Sequence, residues 1–247
     1  MGGAIARGLA ASQFVPAADI CVTRRDASRL ADFAALGMTV TTDNAAAAAS
    51  ADVMIVVVKP WMAEDVCRSL APSVRKGTLV ASVVAGLSTA KLAEYLGGEC
   101  PIFRVMPNTG ASVGASMSFV SAANSTPEQN AVVLDIFGKI GSAMLIEEHL
   151  MGAATALSGC GIAYALRYIR ASVEAGVELG FKADVAAAIV AQTVKGAAEL
   201  ILRNGSNPEA EIDKVTTPGG WTIKGLNALE HAGFTSAVIK GVIASSK

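Results

Sequence analysis

Large rings are scarce in this sequence. Aromatic residues make up 5% of it against a hydrophobic share of 52%, so the core has to be built from closely packed Ala, Val, Leu and Ile. Charge of one sign is missing as well: 20 Lys and Arg stand against 21 Asp and Glu, a formal net charge of -1. That balance offers no electrostatic footing to nucleic acid or an anionic membrane, and neither is expected as a partner. Cys21, Cys67, Cys100 and Cys160 lie far apart without a C-x-x-C pair or a neighbouring His, so no metal site is expected and reduced, cytoplasmic thiols are the default. His149 and His231 are the only histidines, and both read as helix-end or surface residues rather than catalysts. Long apolar runs are absent too. The run 53–58 ends in charge and Pro, far short of a bilayer, and no secretory signal opens the chain.

What is present in the first half is an alternation of short strands and helices. Residues 20–23, 39–41, 53–58, 79–84, 102–105 and 143–146 read as strands; 27–36, 44–50, 62–70, 88–96 and 127–137 read as helices. Val53 to Val58 are all apolar and mostly β-branched, the pattern of a strand buried on both faces. Such a rhythm predicts a parallel sheet covered by helices. A nucleotide-binding unit of this kind normally opens on a strand running into G-x-G-x-x-G. Here Gly2 and Gly3 stand directly before a helix whose apolar face carries Ile5 and Leu9. The expectation is therefore that the sequence starts inside the fingerprint, without the first strand and first two glycines, roughly ten residues in a typical unit. A start codon assigned too late and a truncation both remain open as the origin.

From Glu148 onward no strand is expected. Ile162, Leu166, Ile169, Val173 and Val177 mark an amphipathic helix ended by Gly180. The next helix, over 184–203, is apolar nearly all round and needs burial on all sides, most simply against a partner subunit. The expected fold is thus a Rossmann-like doubly wound sheet over 1–147, lacking its first strand, followed by an all-α dimerisation domain over 148–247.

One stretch interrupts that apolar helical region: Val215-Thr216-Thr217-Pro218-Gly219-Gly220-Trp221-Thr222. Pro218 fixes a backbone angle, and Gly219 and Gly220 allow a tight turn and close approach to a ligand. Ile223, Leu226 and Leu229 follow at helical spacing, which puts the turn on a helix N-terminus where unpaired N–H groups suit a small carboxylate. Thr217 and Thr222 add hydroxyls beside it. A plain Pro-Gly-Gly loop capped by Thr is the alternative.

Several segments together resemble the pyrroline-5-carboxylate reductase family. They are 213–226, running on to Leu229-Glu230, with Arg104-Val105-Met106-Pro107-Asn108-Thr109, Ala156-Leu157-Ser158-Gly159-Cys160-Gly161-Ile162-Ala163-Tyr164, Val56-Val57-Val58-Lys59-Pro60 and Val84-Ala85-Gly86. The resemblance runs from end to end apart from the first strand. It implies an NAD(P)H-dependent oxidoreductase that reduces the imine of 1-pyrroline-5-carboxylate to L-proline, the last step of proline biosynthesis, and that forms a dimer or a higher homo-oligomer through its C-terminal helices. It further implies that the substrate lies against Thr217, Gly219, Gly220, Trp221 and Thr222, with the Thr222 hydroxyl bonded to the ring nitrogen as the catalytic contact. The cofactor would meet Met1 and Gly2 at the pyrophosphate, Asn44 on the adenosine side, Val58, Lys59 and Pro60 at the nicotinamide ribose, and Ala85 and Gly86 at the nicotinamide. Thr23-Arg24-Arg25 stands where an NAD enzyme often carries an acid for the ribose diol, so a 2′-phosphate and NADPH are preferred, with NADH possible and two solvated arginines as the alternative. The sequence departs from the family pattern at Gly110, at Cys160-Gly161-Ile162 and at Trp221, which stands where a small residue is usual.

Two other readings compete. A β-hydroxy-acid dehydrogenase of related build usually depends on a Lys in the first interdomain helix, and residues 158–168 hold none. A catalytically inactive dimerising polypeptide is the second, if loss of the first strand disables the nucleotide domain.

Overall fold

Ile5, Ala6 and Leu9 are buried along the opening helix α1 (Gly2–Ala11), from which the rest of the first half is built outward. In the computed structural model, which describes residues 1–98 and 100–246, α1 is followed by β1 (Cys21–Thr23), α2 (Ala31–Ala35), β2 (Thr39–Thr41), α3 (Asn44–Ser50), β3 (Val53–Val56), α4 (Ala63–Leu70), β4 (Leu79–Ser82), α5 (Thr89–Leu96), β5 (Ile102–Met106), β6 (Ser116–Ala123), α6 (Pro127–Gly138) and β7 (Gly141–Leu145). Then come α7 (Met151–Ala154), a π turn at Thr155–Cys160, and α8 (Gly161–Glu178), α9 (Ala183–Asn204), α10 (Pro208–Lys214), α11 (Trp221–His231) and α12 (Phe234–Ala244). By contact the chain falls into two units, Met1–Gly159 and Cys160–Lys247. The sequence places the boundary at 147/148, where the strands stop; residues 148–159 pack with the first unit.

The sheet of the first unit is in two pieces. β1 and β2 pair with each other in parallel, and β3 to β7 form a separate five-stranded sheet in that order. Among the described residues the free edge of β1 and the outer edge of β3 have no strand partner. The helix α1 packs on both pieces. Ile5 and Leu9 of α1 join Ala81, Phe103, Val105, Val120 and Phe137 in one core, with Ile55 and Val57 packed against it. Ala6 and Ala10 of the same helix close a second core with Leu30, Phe33 and Met38 over β1 and β2. The other face of the larger sheet is covered by α3, α4 and α5 through Ala48, Cys67, Leu70, Leu92 and Leu96.

Three expectations are corrected by these elements. β6 was not foreseen, and it runs antiparallel to β5, so the sheet is mixed. The connection 107–115 is shorter than the dozen or so residues a parallel crossover requires. The strand expected over 53–58 ends at Val56, and its residues alternate between buried (Met54, Val56) and half-buried (Val53, Ile55) because it is an end strand. The helix expected over 27–36 is split into a 3₁₀ turn at Ala27–Arg29 and α2. Asp26 accepts hydrogen bonds from the Ser28 amide at 3.1 Å and its hydroxyl at 2.6 Å, local bonding that competes with a continuous helix.

A polar clasp ties residue 148 to this unit. The Glu148 carboxylate accepts from the Thr89 amide at 2.9 Å, from the Thr89 hydroxyl, and from Nη1 of Arg104 at 3.2 Å. Partial burial pushes that carboxyl up. The Thr89 hydroxyl and amide and the Arg104 guanidinium outweigh it and hold the group below the usual Glu range.

The described residues of the second unit form helices and no strand. α8 and α9 pack so closely that a Cβ on Gly176 would lie 2.9 Å from the Ala186 Cβ. Tyr164 of α8 donates to the Gly241 carbonyl of α12 at 3.2 Å and bonds the Ser245 hydroxyl, and Tyr168 meets Phe234 edge-on at 6.4 Å. Ala186 is the one buried hydrophobic among its described residues. Leu166, Phe181, Ile189, Leu202 and Ile243 are exposed, so the apolar helix read from 184–203 lacks cover within one chain. The helical stretch 148–178 and α9 are each long and apolar enough to cross a membrane by length and composition, at mean hydropathy 1.2 and 1.6.

Two outcomes test this packing. A Cβ at Gly8 of α1 would stand 2.4 Å from Cγ2 of the fully buried Ile140. Gly8→Ala should therefore lower stability by roughly 1–3 kcal/mol, although Ala is the better helix former, as read from the urea midpoint. Glu148→Gln should lose on the order of 1–3 kcal/mol at neutral pH. Because the folded carboxyl titrates below its unfolded value near 4.3, its contribution is whole above that pH and is lost as pH falls through the folded value. The parent and Glu148→Gln stabilities should thus converge in acid.

Candidate active site

Parallel strands end together in the first unit, and so do the residues the motifs select. β1 stops at Thr23 and delivers Arg24 and Arg25, both exposed; β3 stops at Val56 and delivers Val57, Val58, Lys59 and Pro60; β4 stops at Ser82 and delivers Ala85 and Gly86, exposed, with Gly86 at φ +77°. Ligands of open α/β sheets bind outside such carboxyl ends. The N-terminus of α1 points into the same region, since a Cβ on Gly2 would lie 3.3 Å from that of Val57. Met1 caps α1 without a side-chain bond and no acid stands in its first turn. Its first amides are therefore left to an anion, aided by the helix dipole. Asn44 begins α3 half-buried. Asp43 is the cap of that helix, accepting from the amides of Ala45 at 2.9 Å and Ala46 at 3.0 Å. A bare glycine amide, a basic pair and a glycine-opened loop at these strand ends fit a phosphorylated dinucleotide.

Two contacts here were not foreseen. Nη2 of Arg25 reaches Sδ of Met62 at 3.5 Å, linking the loop after β1 to the loop after β3, and Nζ of Lys59 lies 5.9 Å from the ring centre of Trp61. Neither has a periodic signal in the sequence. A third link joins Asn108 to the π turn: its Nδ2 donates to the Ser158 hydroxyl at 2.9 Å, its Oδ1 accepts from the Gly110 amide at 2.9 Å, and Ser158 donates to the Met117 carbonyl at 3.2 Å. The motifs contained both residues; only the fold shows that they meet. Burial pushes the Cys67 thiol up to about 11, which removes it as a nucleophile at neutral pH.

In the second unit the turn between α10 and α11 is fixed by its backbone. The Gly220 amide donates to the Thr217 carbonyl at 2.9 Å across Pro218 and Gly219, and Gly219 sits at φ +70°, the conformation a type II turn requires at its third residue. Gly220 is glycine for space: a Cβ there would stand 2.5 Å from Oγ1 of Thr217. Gly220 is also the N-cap of α11, with no side-chain cap bond and no acid in the first turn, so the amides of Trp221 and Thr222 open the helix uncapped. The hydroxyls of Thr217 and Thr222 are exposed, and Trp221, at 91%, is exposed almost entirely. This geometry can take a carboxylate on backbone donors with a hydroxyl one residue further on.

Comparison with known proteins matches two family models to the chain. The model of the pyrroline-5-carboxylate reductase dimerisation domain matches residues 148–247, and that of the coenzyme F420-dependent NADP oxidoreductases matches residues 1–86. Pyrroline-5-carboxylate reductase 1 of Dictyostelium discoideum is 41% identical over the whole chain, which spans 47% of that relative's length. Pyrroline-5-carboxylate reductase 2 of the same organism is 38% identical, and the chain covers 88% of it. The solved pyrroline-5-carboxylate reductase of Coxiella burnetii superposes with a TM-score of 0.93 at 32% identity, over 99% of this chain and 92% of that one. With motif, fold and relatives in agreement over its full length, the chain belongs to the pyrroline-5-carboxylate reductase family.

Proposed function

We propose that the protein reduces the C=N bond of 1-pyrroline-5-carboxylate to give L-proline, taking the hydride from NADPH. The observation that carries this reading is the turn 217–222. A small cyclic imino acid presents a carboxylate and, beside it, a ring nitrogen; the turn offers the uncapped amides of Trp221 and Thr222 and the Thr222 hydroxyl next to them. The backbone at Gly219 and Gly220 receives the carboxylate, where any side chain at 220 would collide with Thr217. Thr217 and Trp221 border it. The Thr222 hydroxyl bonds the ring nitrogen and steadies charge there as the imine carbon is reduced. When bound, the nicotinamide supplies the hydride; the residues of this chain place the two partners and keep the nitrogen paired.

Residues 1–147 hold the cofactor in this reading, with Met1 and Gly2 at the pyrophosphate, Asn44 on the adenosine side, Val58, Lys59 and Pro60 at the nicotinamide ribose, and Ala85 and Gly86 at the nicotinamide. Thr23, Arg24 and Arg25 take the ribose 2′-phosphate, which favours NADPH over NADH because guanidinium groups bond a phosphate dianion strongly. Residues 148–247 bind substrate and self-associate, the exposed apolar helices finding their cover in a second copy, as a dimer or a ring of dimers. Free, widely spaced cysteines suit the cytoplasm. No lysine stands in 158–168, so nothing favours a β-hydroxy-acid dehydrogenase.

The deciding assay is NADPH oxidation in the presence of pyrroline-5-carboxylate, on this chain and on one lengthened upstream by a strand able to pair with β1 and β3. Turnover by either supports the reading; a folded, lengthened chain that stays silent with both nicotinamides overturns it. Thr222→Ala should lower kcat by on the order of 10²–10⁴-fold with the cofactor Kd unchanged. Changing Arg24 and Arg25 together to Ala should raise the Kd for NADPH by roughly tenfold or more and leave that for NADH in place, as measured by titration.

A further inference from the structure

Trp61 is 78% exposed, yet the turn that carries it is pinned. It sits in the 3₁₀ turn Pro60–Met62, where Pro60 sets the first backbone angle and the Met62 amide donates to the Lys59 carbonyl at 2.9 Å. On one side Met62 is held by the Arg25 guanidinium at 3.5 Å; immediately after it Ala63 is buried in the core under α4. The ammonium of Lys59 stands over the indole at 5.9 Å. A large flat ring is thus presented to solvent by a fixed backbone, flanked by cations, at the carboxyl end of β3. That is an arrangement for a flat, electron-rich ring joined to phosphates.

We infer that Trp61 is the stacking surface for the adenine of the dinucleotide, with Arg25 bordering it toward the 2′-phosphate. The inference rests on the cofactor reading above and adds a residue which the family motifs leave out. Three features place the adenine end here. Arg24 and Arg25, the candidates for the ribose 2′-phosphate, lie on the loop that Arg25 ties to this turn. The start of α1, the candidate for the pyrophosphate, lies against Val57 four residues before Trp61. The indole face needs no hydrogen-bond complement, so stacking serves any purine, and the charged 2′-phosphate supplies the discrimination.

The test uses 2′,5′-ADP, NADP⁺ and nicotinamide mononucleotide as probes on the full chain. In a Trp221→Phe background Trp61 is the only indole. 2′,5′-ADP and NADP⁺ should quench its fluorescence saturably, and nicotinamide mononucleotide should not. By calorimetry, Trp61→Ala with Trp221 intact should raise the Kd of 2′,5′-ADP and NADP⁺ alike, by roughly 5- to 150-fold, with Trp61→Phe restoring most of the loss. Binding of 2′,5′-ADP that neither quenches Trp61 nor weakens in Trp61→Ala overturns the inference while leaving the cofactor reading standing. Failure of the parent chain to bind either 2′,5′-ADP or NADP⁺ overturns both.

Discussion

The packing of one helix, α1, against both groups of strands is the constraint on which the first unit depends. α1 presents Ile5 and Leu9 to the core of β3–β5 and Ala6 and Ala10 to that of β1–β2. Among the described residues β1–β2 and β3–β7 form separate ladders, and side chains of α1 pack on both. Close approach is what makes this possible. Gly2, Gly3 and Gly8 lie where a Cβ would stand 3.3 Å from Val57, 3.0 Å from Phe33 and 2.4 Å from Ile140, so the helix can settle on both pieces at once. The Arg25 contact to Met62 is a second tie between the same pieces, at the ligand end.

That packing brings the residues proposed to hold the cofactor to one end although none of the connecting loops is long. Each comes from the carboxyl end of a parallel strand, and the amino end of α1 faces the same way. A phosphate group entering there meets unpaired amides rather than a side-chain cap. The same device recurs in the second unit, where α11 begins on Gly220 without a capping side chain or an acid. In the function proposed above, selectivity in both places falls to a few side chains around bare backbone, the basic pair 24–25 in one and the Thr217 and Thr222 hydroxyls in the other.

Much of this was legible in the sequence because the informative residues are local. Apolar, β-branched runs point to strands over 53–58, 79–84 and 102–105, which the structure bounds at 53–56, 79–82 and 102–106, and the Pro-Gly-Gly stretch points to both the turn and the helix after it. β6 was missed for a physical reason. Ser116, Ser118 and Ser121 are all buried on it, Ser116 and Ser118 bond each other at 3.2 Å, and Ser116 also accepts from the Asn108 amide, so hydroxyls occupy positions where a core strand is expected to carry Val or Ile. α10 was missed because Glu209, Glu211 and Lys214 leave it little apolar periodicity. The Trp61 turn and the Asn108–Ser158 link join residues by fold rather than by spacing, and no periodicity marks either.

The second unit shows what a sequence pattern alone can demand without satisfying it. A helix as apolar as α9 must be covered, yet within the chain only its Ala186 is buried, against Gly176 of α8. Lengthening α8 or α12 would add cover at the price of ordering more chain, roughly 1–2 kcal/mol per residue for the backbone alone. A second copy, which the match to a dimerisation family supports, brings an apolar face of its own as cover. Burial of this kind rewards small residues at the contact: the Ala-rich face of α9 allows helix axes to approach as closely as Gly176 and Ala186 already do. The low aromatic content that opened the sequence then has its structural counterpart, in helices packed backbone-close around Ala and Gly rather than around rings.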